Sequence, residues 1–462
     1  MEELHLVGRW WIPDREGQKF DGTLTFDHQL KRHVLSITSG GNFEVSEMGK
    51  RVKTAQDIIL GETSDGQTVT LKDCKGGRGR RTLNDLGDVG RYSFIPTYVL
   101  LGDHFRRPDN IIFDSIYITY SGKEVNRWIK RVHSQALINF RDSASVNIRD
   151  NYNISVPGKP KLLSRTEGGV QIQSYKKIPC IEIESLKEQK KSLKDYLKIN
   201  RNILDFLNFI ITEEVHIESI QGIRKNRKNS SKKKNNSSAN PQENKPEVRI
   251  FYPYAISGMF KPNQVTGAPL FPFEYERDAT EALLEKYLQK WFTLLDKARA
   301  FLELYFGVMY NTEMYRRFQF LGLAQALESY HVACRQQPPF RKWKTEIKDI
   351  KKLYPQIPPA CIDKIKDCHK PDYRVRVAEI YGEHSKIADK YFRTNDKKGK
   401  FSAKVVGTRN YYSHANKGRR KGVVHEDKML SLTRDLQLLL HLAIMKEVGF
   451  TEEKFLRRYP RK

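Results

Sequence analysis

Two hydrophobic periodicities divide the chain. From Met1 to about Gly122 apolar and polar positions alternate in short runs bounded by Gly, Asp and Ser, the spacing of β-strands. Gly22-Thr23-Leu24-Thr25-Phe26 and Val34-Leu35-Ser36-Ile37 are two such runs. The sharpest hairpin runs Ile58 to Thr63, turns at Ser64-Asp65-Gly66 and returns as Thr68-Val69-Thr70-Leu71. Further strands are expected over Tyr92 to Leu101 and Ile111 to Tyr120. Lys75-Gly76-Gly77-Arg78-Gly79-Arg80-Arg81 reads as a flexible, solvated basic loop, because no helix with P-loop spacing follows it. Trp128 to Ile183 reads as mixed, more strands with a helix or two. Ser185-Leu186-Lys187-Glu188 has the form of a capping box. It would open a helix whose apolar face is Leu193, Tyr196, Leu197, Ile199, Ile203, Phe206, Leu207 and Ile210. Strands are expected at Val215 to Ile220 and Val248 to Tyr252.

From about Arg277 the apolar spacing changes to three and four, and helices are expected. One long helix covers Ala282 to Phe306, with Leu283, Tyr287, Leu288, Trp291, Leu294, Leu295, Ala298 and Phe301 at core positions. A second covers Tyr315 to Cys334, and shorter ones Lys342 to Lys352 and Arg374 to Asp389. Phe401, Val405, Thr408, Tyr412 and Ala415 form the buried stripe of another. The last spans Glu426 to Val448, with Leu432, Leu436, Leu439, Leu440 and Ala443 on one face and Gly449 as its stop. The fold class expected is α+β: a β-rich N-terminal domain, sandwich- or barrel-like, then a bundle of four or five helices. The expected divisions are residues 1–125, a mixed α/β region over 126–275, and the helical region over 276–462.

Charge adds a partner to this outline. The 462 residues carry 82 Lys+Arg against 55 Asp+Glu, a net charge of +27, which favours a polyanion and nucleic acid first. Seven of those cations lie between Arg224 and Lys234, in a segment that runs polar to Pro246 and reads as a disordered loop between strands. Without them 82−7=75 basic residues still face 55 acidic ones, so the basicity is general. No apolar run is long enough to span a bilayer, and Met1-Glu2-Glu3 does not open a signal sequence, so no membrane is expected. The five cysteines are scattered and odd in number, as in a reducing cytoplasm.

The chemistry concentrates in Thr408-Arg409-Asn410-Tyr411-Tyr412-Ser413-His414. A histidine moves protons near neutral pH, and a guanidinium fork matches charge building on phosphate oxygens. RNA brings its own nucleophile, the 2′-hydroxyl, so phosphodiester cleavage here requires no metal and no cofactor. Asn410 and His414 are four apart and share one helix face. Arg409 lies at the edge of the buried stripe, about 140° from His414, so one straight helix does not aim both at one atom. Convergence then needs the helix to end near Gly418 or a second copy of the chain. Lys417, Arg419, Arg420 and Lys421 follow at once and suit an RNA backbone. Cys361, Cys368 and His369 lack the short spacing of a zinc knuckle, with His384 the nearest further ligand, and are read as unpaired. Ser413 and His414, adjacent on a helix, point apart, and no G-x-S-x-G elbow is present.

Trp10-Trp11-Ile12-Pro13, Gly22-Thr23-Leu24-Thr25 and Gly61-x-Thr63-Ser64-Asp65-Gly66-x-x-Val69-Thr70-Leu71, followed by Arg409-Asn410-x-x-x-His414, resemble the ApeA-type proteins. These are bacterial antiphage, abortive-infection proteins with a C-terminal HEPN ribonuclease domain. The resemblance implies an ApeA-type domain over 1–125 and a HEPN nuclease over 276–462. It also implies endonucleolytic cleavage of host or phage RNA at an active site formed where two protomers meet. Arg409, Asn410 and His414 match the family's motif, and Glu328 resembles an acidic position on an earlier helix. A homodimer or higher homo-oligomer and a phage protein trigger would be the partners. The competing reading is a non-catalytic RNA-binding or phage-sensing module that uses the bundle only to dimerise.

Overall fold

A computed structural model describes residues 4–27, 32–39, 58–84, 87–122, 125–126, 129, 144–148, 152–156, 158–167, 170–186, 190–210, 215–224, 247–252, 281–311, 313–335, 340–362, 372–414 and 422–452. Two compact units emerge. One comprises Met1–Leu207, Val215–Gly258 and Tyr275–Glu285, the other Asn208–Glu214, Met259–Glu274 and Lys286–Lys462. Among the described residues no helix is long and apolar enough to cross a membrane.

The first unit is built on a 14-stranded sheet in which every pairing described is antiparallel. The expected hairpin pairs Ile58–Thr63 with Thr68–Lys72, and His5–Trp11 runs along its other side. Its turn is set by Gly66 at φ 83°, a backbone that suits glycine. Along the sheet Arg32–Ser39 and Glu247–Phe251 are six strand-to-strand steps apart. Laid flat they would be about 29 Å apart at the usual interstrand spacing. Yet the His33 and Phe251 rings meet with centroids 6.1 Å apart. The sheet therefore curls around its apolar contents, which realises the barrel-like form of the expectation.

That curl closes on Trp10. Adjacent strand residues face opposite ways, so Trp10 enters the main core while Trp11 packs with Ile58 and Leu60. The Trp10 indole is fully buried and its Nε1 donates to the Gly22 carbonyl at 3.0 Å. A Cβ on Gly61 would stand 2.3 Å from Trp10 Cε3. The tryptophan and the two glycines of the N-terminal motifs are thus one packing unit. Gly61→Ala should cost about 1–3 kcal/mol by overpacking; a urea midpoint unchanged from wild type would contradict this.

Two local readings are corrected in this unit. Lys75–Asn84 is a strand paired with Gly87–Ile95, not a loop. Gly76 and Gly79 lie opposite Phe94 and Tyr92, both buried, and that pairing overrides the poor strand propensity of glycine. The helix α1, Leu193–Ile210, starts seven residues later than the first Ser-Leu-Lys-Glu signal. Ser185 closes a strand, and the working box is Ser192-Leu-Lys-Asp195, in which each residue's side chain meets the other's backbone N–H at 3.3 Å. Tyr196 of α1 donates to the Asp114 carbonyl at 2.7 Å. Tyr120 of the sheet donates to Asn200 of α1 at 2.5 Å. Both strands expected to flank the basic segment are present, at Ile217–Ile223 and Glu247–Phe251, and they pair with each other; residues 225–246 lie outside the described residues.

The helices that follow are α2 (Glu281–Lys297), α3 (Arg299–Tyr310), α4 (Arg316–Cys334), α5 (Phe340–Leu353), α6 (Tyr373–Glu383), α7 (Ser385–Tyr391), α8 (Lys398–His414) and α9 (Glu426–Val448). The single long helix expected over 282–306 is two, broken at Ala298 with φ −134° and ψ 39°. Apolar spacing runs unbroken across the break, so periodicity alone conceals it. The helix expected over 374–389 is likewise two. It breaks at buried His384, whose Nδ1 lies 3.0 Å from Glu452. α4 is central and packs against α3, α6, α8 and α9 through Phe320, Leu323, Ala324 and Leu327, among others. α9 ends at Gly449, φ 99°, whose N–H donates to Met445 and Lys446.

Candidate active site

α8 is fixed at both ends. Asp396, buried just ahead of its first turn, forms ion pairs with Lys400 at 3.2 Å and Lys404 at 2.5 Å. Burial alone would raise that carboxyl, but the two lysines hold it below the usual range. Phe401, Val405 and Thr408 are fully buried, and Tyr412 half-buried, so the expected stripe faces inward; Ala415 lies outside the described residues. Thr408 Oγ1 accepts from the Val424 backbone N–H at 3.0 Å. The chain leaving the basic segment is thereby tied back to the motif helix.

Anchoring of this face leaves Arg409 at its edge, half-exposed, where three helices meet. Its Nη2 donates to Glu328 Oε2 on α4 at 3.1 Å. Its guanidinium lies over the Tyr373 ring of α6, 4.9 Å from the centroid. Tyr373 in turn donates to the Ala324 carbonyl of α4 at 2.8 Å. The other Glu328 oxygen is 3.6 Å from Nη1 of Arg376, a buried arginine three residues along α6 from Tyr373. Asp372 caps α6 by accepting from the Val375 N–H at 2.8 Å, which sets the face carrying Tyr373 and Arg376. Burial raises the Tyr373 phenol, with Glu328 adding to the shift and the two arginines opposing it. The ring is accordingly a neutral platform, and Arg409 is clamped by a carboxylate on one side and an aromatic face beneath.

Glu328 and Arg409, 81 residues apart in sequence, are brought together. Asn410 is half-buried on α8, and His414 is the last residue of that helix. The His414 side chain and Lys417, Arg419, Arg420 and Lys421 lie outside the described residues, as do Cys368 and His369. Cys361 is exposed with a free thiol. Tyr373 and Arg376 were not anticipated. Their one sequence signal is an aromatic and a cation three apart behind an Asp N-cap, a spacing that many surface helices share.

The clamp uses one edge of the guanidinium. Among the described residues no protein group pairs with Nε or Nη1 of Arg409, so these donors remain for an oxyanion. Such a fork, oriented in advance, stabilises charge developing on a phosphate.

Family comparison assigns residues 5–291 to ApeA N-terminal domain 1 and residues 321–454 to the Apea-like HEPN domain. Comparison with curated proteins and with solved structures gives no match. The HEPN match contains Glu328, Tyr373, Arg376, Arg409, Asn410 and His414, so the whole clamp lies inside it. The N-terminal match covers more than half of the 462 residues, and the chain belongs to the ApeA family of nuclease-type antiphage-defence proteins with a C-terminal HEPN domain.

Proposed function

We propose that this protein is an endoribonuclease that cuts host or phage RNA without a metal ion, as an abortive response to infection. The observation that carries the reading is Arg409, clamped by Glu328 and Tyr373 with donors to spare, on the helix that presents Asn410 and His414. In this reading the 2′-hydroxyl attacks the adjacent phosphorus and the 5′-oxygen leaves, giving a 2′,3′-cyclic phosphate. His414 moves the proton, Asn410 orients the imidazole or the phosphate, and Arg409 stabilises the pentacovalent oxyanion. Lys417, Arg419, Arg420 and Lys421 hold the backbone through charge.

Helix geometry supports a two-fold arrangement. Arg409 and His414 are about 140° apart on α8, and an isologous contact between two copies of this helix brings both pairs into one cleft. Light scattering of the active species should therefore give a dimer or a higher even oligomer; an active monomer would contradict the shared cleft.

Chemistry is tested with labelled RNA in the presence of EDTA. Cleavage should persist, products should end in 2′,3′-cyclic phosphate, and single-stranded DNA should survive because it lacks the 2′-hydroxyl. A requirement for Mg²⁺, or cutting of DNA, refutes the mechanism. RNA that is bound but never cut would favour the non-catalytic reading.

A further inference from the structure

Beside the clamp lies a cleft of about 420 Å³ between the start of α3 and the outer face of α4. Its size falls in the range of about 300–1,000 Å³ typical of small-molecule sites. The break at Ala298 makes its basic wall. In an uninterrupted helix, residues two apart point about 200° from one another, so Lys297 and Arg299 would diverge. With Ala298 at φ −134° both line the cleft. Lys297 has a long contact to Glu447, 3.9 Å, while Arg299 has no ion-pair partner among the described residues. Val332 supplies an exposed apolar patch beside the buried Phe301, and Gln325 and Ser329 supply hydrogen-bonding groups that fit a base edge or a ribose. Glu328 is common to the cleft and the clamp, so an occupant lies one side chain from Arg409.

We propose that this cleft binds a nucleotide, with the phosphate on Arg299 and Lys297 and the base against Val332. The nucleotide is either a unit of the RNA strand or a free mononucleotide. The strand version rests on the ribonuclease reading above; the mononucleotide version does not.

The test is photolabelling of the full-length chain with 8-azidoadenosine 5′-monophosphate, followed by peptide mapping. Label should fall on residues 297–301 or 325–333 and be competed by AMP. Arg299→Glu removes the phosphate contact, and Val332→Trp fills the cleft from a position that is 46% exposed. Arg299→Glu should weaken labelling about tenfold, the loss expected for one charge-assisted contact, and Val332→Trp should weaken it at least as much by occupying the space of the base, with the melting temperature kept as the check on folding. Both variants should also raise KM for RNA at unchanged kcat if the strand is the occupant. If they lose AMP but cut RNA with wild-type KM, the occupant is a free nucleotide. Labelling outside both peptides, or undiminished in both folded variants, overturns the proposal. A wild-type protein that labels as expected but cuts no RNA refutes the ribonuclease reading and leaves the cleft assignment standing.

Discussion

Arg409→Ala should remove RNA cleavage almost completely, with a fall in kcat of about 10²–10³ for the loss of a preorganised oxyanion donor. His414→Ala should cost about 10²–10⁴, the usual contribution of a positioned general acid or base. Both variants should keep the wild-type melting temperature within a degree or two. The Arg409 side chain is 30% exposed and α8 is held by Phe401, Val405, Thr408 and the Asp396 ion pairs instead. Arg409→Lys is the sharper probe. An ammonium retains the charge and reaches Glu328, but it lacks the planar fork that can hold a carboxylate and a phosphate together. It should therefore resemble the alanine variant in kcat and the wild type in stability. The measurement is single-turnover cleavage of a labelled RNA under saturating protein. A His414→Ala protein that still cuts at the wild-type rate would end the proton-transfer role, and a fully active Arg409→Lys would end the fork argument.

Where the hydrophobic pattern and the turn chemistry agreed, the fold was legible. The hairpin at 58–63 and 68–72 and the last helix, Glu426–Val448 with its left-handed Gly449, stand where alternation and stop signals put them. The failures share one cause, that tertiary context decides what a local signal leaves open. Ser185-Leu-Lys-Glu188 and Ser192-Leu-Lys-Asp195 are near copies, and only the second is free to cap, because Ser185 is committed to a strand. The break at Ala298 was illegible because tertiary packing bends the backbone without disturbing the apolar stripe: Leu294, Leu295, Ala298, Phe301 and Leu302 are all buried. Lys75–Asn84 has the composition of a loop and becomes a strand only because its partner strand is there. Site residues follow the same logic. Arg409 was conspicuous through its neighbours in sequence, whereas Arg376 is one arginine in a chain with 82 Lys+Arg. Only burial against Glu328 sets it apart.

Glu328→Gln is expected to lower kcat about ten- to hundredfold while changing KM little, and this outcome would separate positioning from simple packing. One carboxylate sits between two guanidinium groups, Arg409 at 3.1 Å and Arg376 at 3.6 Å. Without its charge the two cations repel by about 2 kcal/mol at an effective dielectric near 20. Arg376 is buried and cannot retreat, so the half-exposed Arg409 is the one that moves, away from Tyr373 and out of register with the phosphate. Neutralising Arg376 as well removes the repulsion. The Glu328→Gln/Arg376→Gln double variant should consequently recover part of the kcat lost by Glu328→Gln alone, a coupling that adds up to less than the sum of the single losses. Melting temperatures measured on the same four proteins provide the control. If Glu328→Gln lowered the melting temperature but left kcat at the wild-type value, Glu328 would be a structural bridge between α4 and α6 and not the residue that aims Arg409.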